Sequence, residues 1–208
     1  MKLSCLLEEM EYECVQGTLD REITTLVYDS RKVEKDSAFV CISGAVCDGH
    51  DFAQEVAKKG AAVLFVEKDV EVPEEVTVIR VQNTRLALAQ TSAAYFRHPA
   101  KELITIGITG TKGKTTATYM VRSILEASGF KTGLIGTIET IIGEEKIPSA
   151  NTTPESYVVQ ESFRKMADAG CKCVVMEVSS QGLMLHRVGG FIFDYGIFTN
   201  LEKSEAKR

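Results

Sequence analysis

Short apolar runs and helical spacings alternate along this chain. Runs rich in β-branched residues at 23–27, 38–42, 63–66, 76–81, 103–108, 132–137, 173–178 and 195–199 predict strands. The run 173–178 is apolar almost without alternation, the pattern of a parallel strand covered on both faces, and 195–199 repeats that character. Between the strands, residues 51–59 carry apolar side chains at 52, 53, 56 and 57 and stop at Gly60, a helical spacing with its cap. Asn83 stands as an N-cap ahead of Leu86, Leu88, Ala89 and Ala93, in a helix expected to run to Phe96. Another helix follows residue 113, with apolar positions at 117, 120, 121, 124 and 125 and Gly129 as its cap. A further helix buries Val159, Phe163 and Met166 and ends at Gly170. Ahead of it, Asn151-Thr152-Thr153-Pro154-Glu155 predicts a capping threonine with proline at the first helical position. Residues 139–142 followed by Gly143-Glu144 predict a small hairpin.

Strands alternating with helices give an α/β fold with mainly parallel sheets. Arg97-His98-Pro99 is the expected domain boundary, since a proline there follows a finished helix. Residues 1–98 then form a small α/β domain without a phosphate loop. Residues 99–208 form a three-layer α/β domain of the P-loop type, its four parallel strands at 103–108, 132–137, 173–178 and 195–199. Ligands are expected at the carboxyl ends of those strands.

The first of those ends carries the clearest chemistry. The run to Ile108 breaks at Gly110-Thr111-Lys112-Gly113 and resumes as Lys114-Thr115-Thr116 at the head of a helix. Such a turn lets backbone N–H groups close around an anion, and the helix N-terminus adds its dipole. Lys114 would reach the β- and γ-phosphates of a nucleotide and Thr115 would ligate Mg²⁺. The usual P-loop places a glycine where this chain has Ile108, so the match is to a shorter variant; the alternative is a glycine turn with a surface lysine. Glu177, closing the strand 173–178, would complete Mg²⁺ coordination, against the alternative of an ion-paired or helix-capping glutamate. Arg187 suits a carboxylate or phosphate as well as it suits a surface ion pair.

Composition narrows the partners. The chain has 208 residues, 44% hydrophobic and 25% charged, and a net charge of −5 with no basic run longer than a pair, which disfavours nucleic acid or an anionic membrane as main partner. No apolar run approaches a membrane span, and Glu8, Glu9 and Glu11 come too early for a signal peptide. The six cysteines are scattered, mostly in apolar segments, and Cys171-x-Cys173 is the one close pair; reduced, buried thiols in a cytoplasmic, monomeric protein are expected.

Taken together, Gly110-Thr-Lys-Gly-Lys-Thr-Thr116, Asn151-Thr-Thr-Pro-Glu155, Met176-Glu-Val-Ser-Ser180, His186-Arg-Val188 and Phe198-Thr-Asn-Leu201 resemble the Mur ligase family. Asp29-Ser30-Arg31 and the segment from Gly44 to Phe52 resemble the N-terminal UDP-binding domain found in part of that family. The likeness runs in register over nearly all of 20–201. Within the family the MurE branch fits best, with MurF the nearest competitor.

The resemblance implies an ATP- and Mg²⁺-dependent amide ligase of peptidoglycan precursor synthesis. In that reaction the D-glutamyl carboxylate of UDP-MurNAc-L-Ala-D-Glu becomes an acyl phosphate, and the amine of a diamino acid displaces phosphate. By position, Ser30 would contact the UDP part, and Thr152, Thr153, Ser179 and Arg187 the muramyl-peptide. Residues 45–47 occupy the family's uracil-side loop with Ala45-Val46-Cys47 in place of a more polar sequence. Two departures stand out. The family's loop usually has asparagine where this chain has Lys112, and after Phe-Thr-Asn-Leu the family continues into an Asp-His-Leu-Asp stretch and a C-terminal domain, whereas 202–208 read as a frayed polar tail. The chain alone is therefore expected to be inactive. A non-catalytic module binding UDP-sugar or nucleotide is the alternative of another class, and a P-loop kinase or GTPase is disfavoured by the short loop.

Overall fold

The computed structural model describes residues 1–44 and 47–202. The chain divides into two units, Met1–Tyr95 and Phe96–Arg208, just ahead of the Arg97-His98-Pro99 segment. The first contains α1 (Leu3–Leu7), β1 (Glu13–Gln16), β2 (Leu26–Val27), β3 (Ser37–Val40), α2 (Ala53–Lys59), β4 (Ala61–Val66), β5 (Thr77–Arg80) and α3 (Thr84–Tyr95). Its sheet has the order β1-β5-β4-β3-β2, with β2 to β5 parallel and β1 antiparallel on the β5 edge. The expected strands and helices are present; α2 ends at Gly60 in the left-handed conformation, and Asn83 Oδ1 accepts the Leu86 N–H as a cap should. The run 23–27 pairs only at Leu26–Val27, because Ile23 N–H turns to Met1 O and Thr24 N–H to Asp36 O. Neither α1 nor β1 announces itself in the sequence. One is too short to show a period, and the other is an exposed edge held by pairing to β5 and by Gln16 Nε2, which donates to Pro73 O and Val76 O.

The second unit contains β6 (Ile104–Thr109), α4 (Lys114–Ala127), β7 (Thr132–Ile135), β8 (Glu139–Ile142), β9 (Glu145–Pro148), α5 (Ser156–Asp168), β10 (Cys173–Glu177), α6 (Ser180–Met184) and β11 (Tyr195–Phe198). Four parallel strands in the order β11-β6-β10-β7 continue into the antiparallel hairpin β8-β9. On one face, Val159, Phe163 and Met166 of α5 pack on Ile135, Val174, Met176 and Val178, with Phe191 edge-on to Phe163 at 5.0 Å. Burying each such side chain contributes about 1.5–3 kcal/mol. On the other face, Ala117, Val121 and Leu125 of α4 cover Ile106, Ile108 and Val175, while Met120 and Ile124, expected on the same apolar face, stay exposed.

Three expectations need correction. The helix 156–168 does not begin at Pro154 under a capping threonine: Glu155 is its N-cap, without a side-chain cap bond, and Thr153 bonds elsewhere. The strand 132–137 ends at Ile135, because Thr137 turns away to bond Glu177. The cysteines are free as expected, but Cys5, Cys14 and Cys47 are exposed; Cys41, Cys171 and Cys173 are the buried ones. Among the described residues no helix is long and apolar enough to cross a membrane.

Candidate functional site

The carboxyl ends of β6, β7, β10 and β11 converge at one edge of the second sheet, the end at which open parallel sheets bind ligands. After β6 the chain turns through Gly110 and Gly113, both at positive φ, into α4. The first-turn N–H groups of α4 have no carbonyl one turn earlier to bond, so they remain available to an anion. Lys114 Nζ donates to Gly110 O at 2.7 Å, folding the ammonium over the loop it follows. Thr115 Oγ1 donates to Glu177 Oε2 at 2.9 Å, and Thr116 is exposed at the head of the helix. Lys112 is exposed as well; its ammonium pairs with Glu202 at 2.6 Å.

Glu177 is the pivot of the site. Only 1% of its surface is exposed, and Thr137 also holds it, the N–H on Oε1 at 2.9 Å and the hydroxyl on Oε2 at 3.0 Å. The donors from Thr115 and Thr137 are neutral, so they leave a buried carboxylate whose charge suits a cation. A hydroxyl and a carboxylate are the hard oxygen donors that Mg²⁺ takes, and Thr115 keeps lone pairs free while its proton rests on Glu177. The residues present therefore fit Mg²⁺. Nearby, Tyr119 donates to Glu139 Oε1 at 2.9 Å, and burial, then the Glu139 bond, push the phenol up to about 12.

The other expected residues gather behind this pair. Thr153 is buried; its hydroxyl reaches Glu177 O at 3.0 Å and accepts the Ser179 N–H at 2.9 Å. Ser179 caps α6 by accepting the Gly182 N–H. Thr152 Oγ1 lies 3.0 Å from the Thr137 hydroxyl. Arg187 donates to Thr153 O at 2.8 Å and to Glu155 Oε1 at 2.6 Å, so both terminal nitrogens already hold the 153–155 segment.

In the first unit, Ser30 opens a short 3₁₀ turn beyond β2, and its carbonyl accepts Lys59 Nζ at 3.0 Å. Asp29 caps that turn and forms a fork with Arg31, at 2.9 and 2.7 Å; those bonds hold the Asp29 carboxyl down at about 2. Past β3, Asp48 meets His50 Nδ1 at 2.5 Å and Lys68 Nζ at 2.7 Å, and the Lys68 bond keeps its carboxyl well below the usual range. His50 Nε2 accepts the Glu67 N–H at 2.9 Å, which places the ring proton on Nδ1, facing Asp48. Ala45 and Val46 lie outside the described residues, as do 203–208 of the expected tail.

Sequence reasoning assigned Thr137 no role, and it marked Asn200 only as part of Phe198-Thr-Asn-Leu201, without assigning it a contact. Thr137 sits just past an apolar run and Asn200 just past another, and that position at a strand's carboxyl end was the available signal.

Residues 108–205 match the family described as the Mur ligase middle domain, and 22–96 match the Mur ligase family, catalytic domain. A curated relative from Clostridium perfringens (strain 13 / Type A), named UDP-N-acetylmuramoyl-L-alanyl-D-glutamate--2,6-diaminopimelate ligase, is 49% identical over 203 residues, covering 98% of this chain and 42% of the relative. A ligase of the same name from Bacillus velezensis (strain DSM 23117 / BGSC 10A6 / LMG 26770 / FZB42) is 48% identical, covering 97% and 41%. This chain thus spans less than half the length of the curated relatives it matches. Among solved structures, one of a ligase with that name superposes with a TM-score of 0.82 at 20% identity, over 99% of this chain and 41% of that one. A crystal structure of MurF from Acinetobacter baumannii gives 0.56 at 25% identity, over 86% and 36%. The α/β architecture with its P-loop-like second unit is the one those structures share, and the chain belongs to the Mur ligase family, of which it carries the N-terminal and middle domains.

Proposed function

We propose that this chain forms the UDP-binding and ATP-binding parts of a ligase that adds 2,6-diaminopimelate to UDP-MurNAc-L-Ala-D-Glu, in the cytoplasm. The observation that carries this reading is the buried Glu177 joined to Thr115 at the head of the loop 110–116. A phosphoryl-transfer site needs a cation and oriented N–H groups at the phosphates and no protein nucleophile, and that is what these residues offer.

Gly110, Thr111, Lys112, Gly113, Lys114, Thr115 and Thr116 wrap the triphosphate, Lys114 leaving Gly110 O for the β- and γ-oxygens. Thr115 and Glu177 would hold Mg²⁺, which would neutralise charge on the phosphates. The substrate carboxylate attacks the γ-phosphorus, ADP departs, and an acyl phosphate forms. The diamino acid's amine then attacks the carbonyl carbon, and phosphate leaves with the amide bond made. Ser30 contacts the UDP end. Thr152, Ser179 and Arg187 line the muramyl-peptide, with Thr153 fixing Ser179 from behind.

Calorimetric titration of the 208-residue chain with Mg·ATP and with UDP-MurNAc-L-Ala-D-Glu tests the reading. Both are expected to bind, and Lys114→Ala is expected to abolish Mg·ATP binding while leaving the UDP-sugar titration unchanged. ATP affinity unaltered by that substitution removes Lys114 from the site.

A further inference from the structure

Where β11 ends, the chain touches the phosphate loop through its main chain. Lys112 N–H donates to Asn200 Oδ1 at 3.0 Å, and Asn200 Nδ2 donates back to Lys112 O at 3.1 Å, so one carboxamide grips both peptide groups flanking a single residue. Thr111 N–H donates to Asn200 O at 3.0 Å, and Thr199 Oγ1 donates to Lys112 O at 2.8 Å. Gly110 lies against the same support: a Cβ there would meet the Thr199 hydroxyl and the Asn200 backbone, and its φ of +137° belongs to glycine.

We propose that Asn200 is a positioning residue for nucleotide binding, clamping the Lys112 peptide groups so that the N–H groups of Gly113 to Thr116 stay aimed at the phosphates. This rests on the phosphate-binding reading of 110–116. The clamp reads the main chain of residue 112 and ignores its side chain, whose ammonium is paired with Glu202 in an exposed position that contributes little. The loop therefore keeps its shape with lysine at 112. Asn200 touches no phosphate itself; it acts through the loop.

The test titrates Mg·ATP into the unaltered chain, Asn200→Ala and Glu202→Gln, and records their amide spectra and unfolding midpoints without nucleotide. Losing the two side-chain bonds is expected to weaken Mg·ATP binding about tenfold or more. It should shift the Thr111 to Gly113 amide resonances while the unfolding midpoint holds, and Glu202→Gln should stay within about threefold. Asn200→Ala binding as well as the parent overturns the proposal, and so does an equal loss in Glu202→Gln, which would put the support on the Lys112–Glu202 pair. If Asn200→Ala does not fold, Asn200→Leu carries the same thresholds, since it keeps the shape of the side chain and removes both bonds. An unaltered chain that fails to bind Mg·ATP overturns the phosphate-loop reading and the clamp together, whereas binding without sensitivity to residue 200 overturns the clamp alone.

Discussion

Replacing Thr153 by valine keeps the shape of a fully buried side chain and removes only its hydroxyl. That hydroxyl donates to Glu177 O at 3.0 Å and accepts the Ser179 N–H at 2.9 Å, tying the residue ahead of α5 to the end of β10. In the valine variant the Ser179 N–H loses its partner in a buried setting, which costs about 1–3 kcal/mol, and the lost bond to Glu177 O adds about 1 kcal/mol. The sum, about 2–4 kcal/mol, exceeds the roughly 1 kcal/mol of an ordinary helix cap, the role the sequence predicted. Thr153→Ser keeps both bonds and loses one methyl group, at about 1 kcal/mol. Native-state hydrogen exchange at Val174 and Val175, buried in β10, reads the difference within this unit alone. At about 1.4 kcal/mol per tenfold, exchange through the largest opening should quicken about 30- to 900-fold in Thr153→Val and under tenfold in Thr153→Ser. Valine exchanging like the parent, or serine costing as much as valine, refutes the bridging role.

Gly136→Ala would place a Cβ 2.5 Å from Glu177 Oε1, so the carboxylate must move off its donors; Mg²⁺ dependence of ATP binding, measured by titration, should weaken about tenfold, and an unchanged dependence would place the cation elsewhere. Asp29 titrates at about 2 because Arg31 bonds its charged form, so this contact is intact above the ordinary carboxylate pKa and is lost as pH falls toward about 2. Arg31→Ala should return the Asp29 carboxyl toward its ordinary value in a carbon-detected NMR titration, and no movement would exclude the fork. Burial pushes the Cys41 thiol up to about 12, so native alkylation near pH 8 should label the exposed Cys5 and Cys14 and spare Cys41, as mass spectrometry would read directly.

The sequence by itself determined the four parallel strands of the second unit, the loop 110–116 and the helix behind it, because uninterrupted β-branched runs, paired glycines and a helical apolar spacing are local signals. It determined the α/β class of the first unit for the same reason, and missed α1 and β1, where one element is five residues long and the other has no buried face. Family resemblance singled out Thr153 and Arg187, but what each side chain touches is a tertiary fact. Thr153 ties the loop ahead of α5 to the end of β10 instead of capping a helix, and Arg187 grips residues 32 and 34 positions away. Thr137 went unremarked, and Asn200 stood only within a motif without a role of its own, for a related reason. A polar residue one or two places past an apolar run looks like any turn residue until parallel pairing of β6, β7, β10 and β11 brings all four carboxyl ends together around Glu177 and the loop. Strand identity is written in local periodicity. Strand order, and with it the company each loop keeps, comes from right-handed crossovers and two-sided burial, which no single segment encodes.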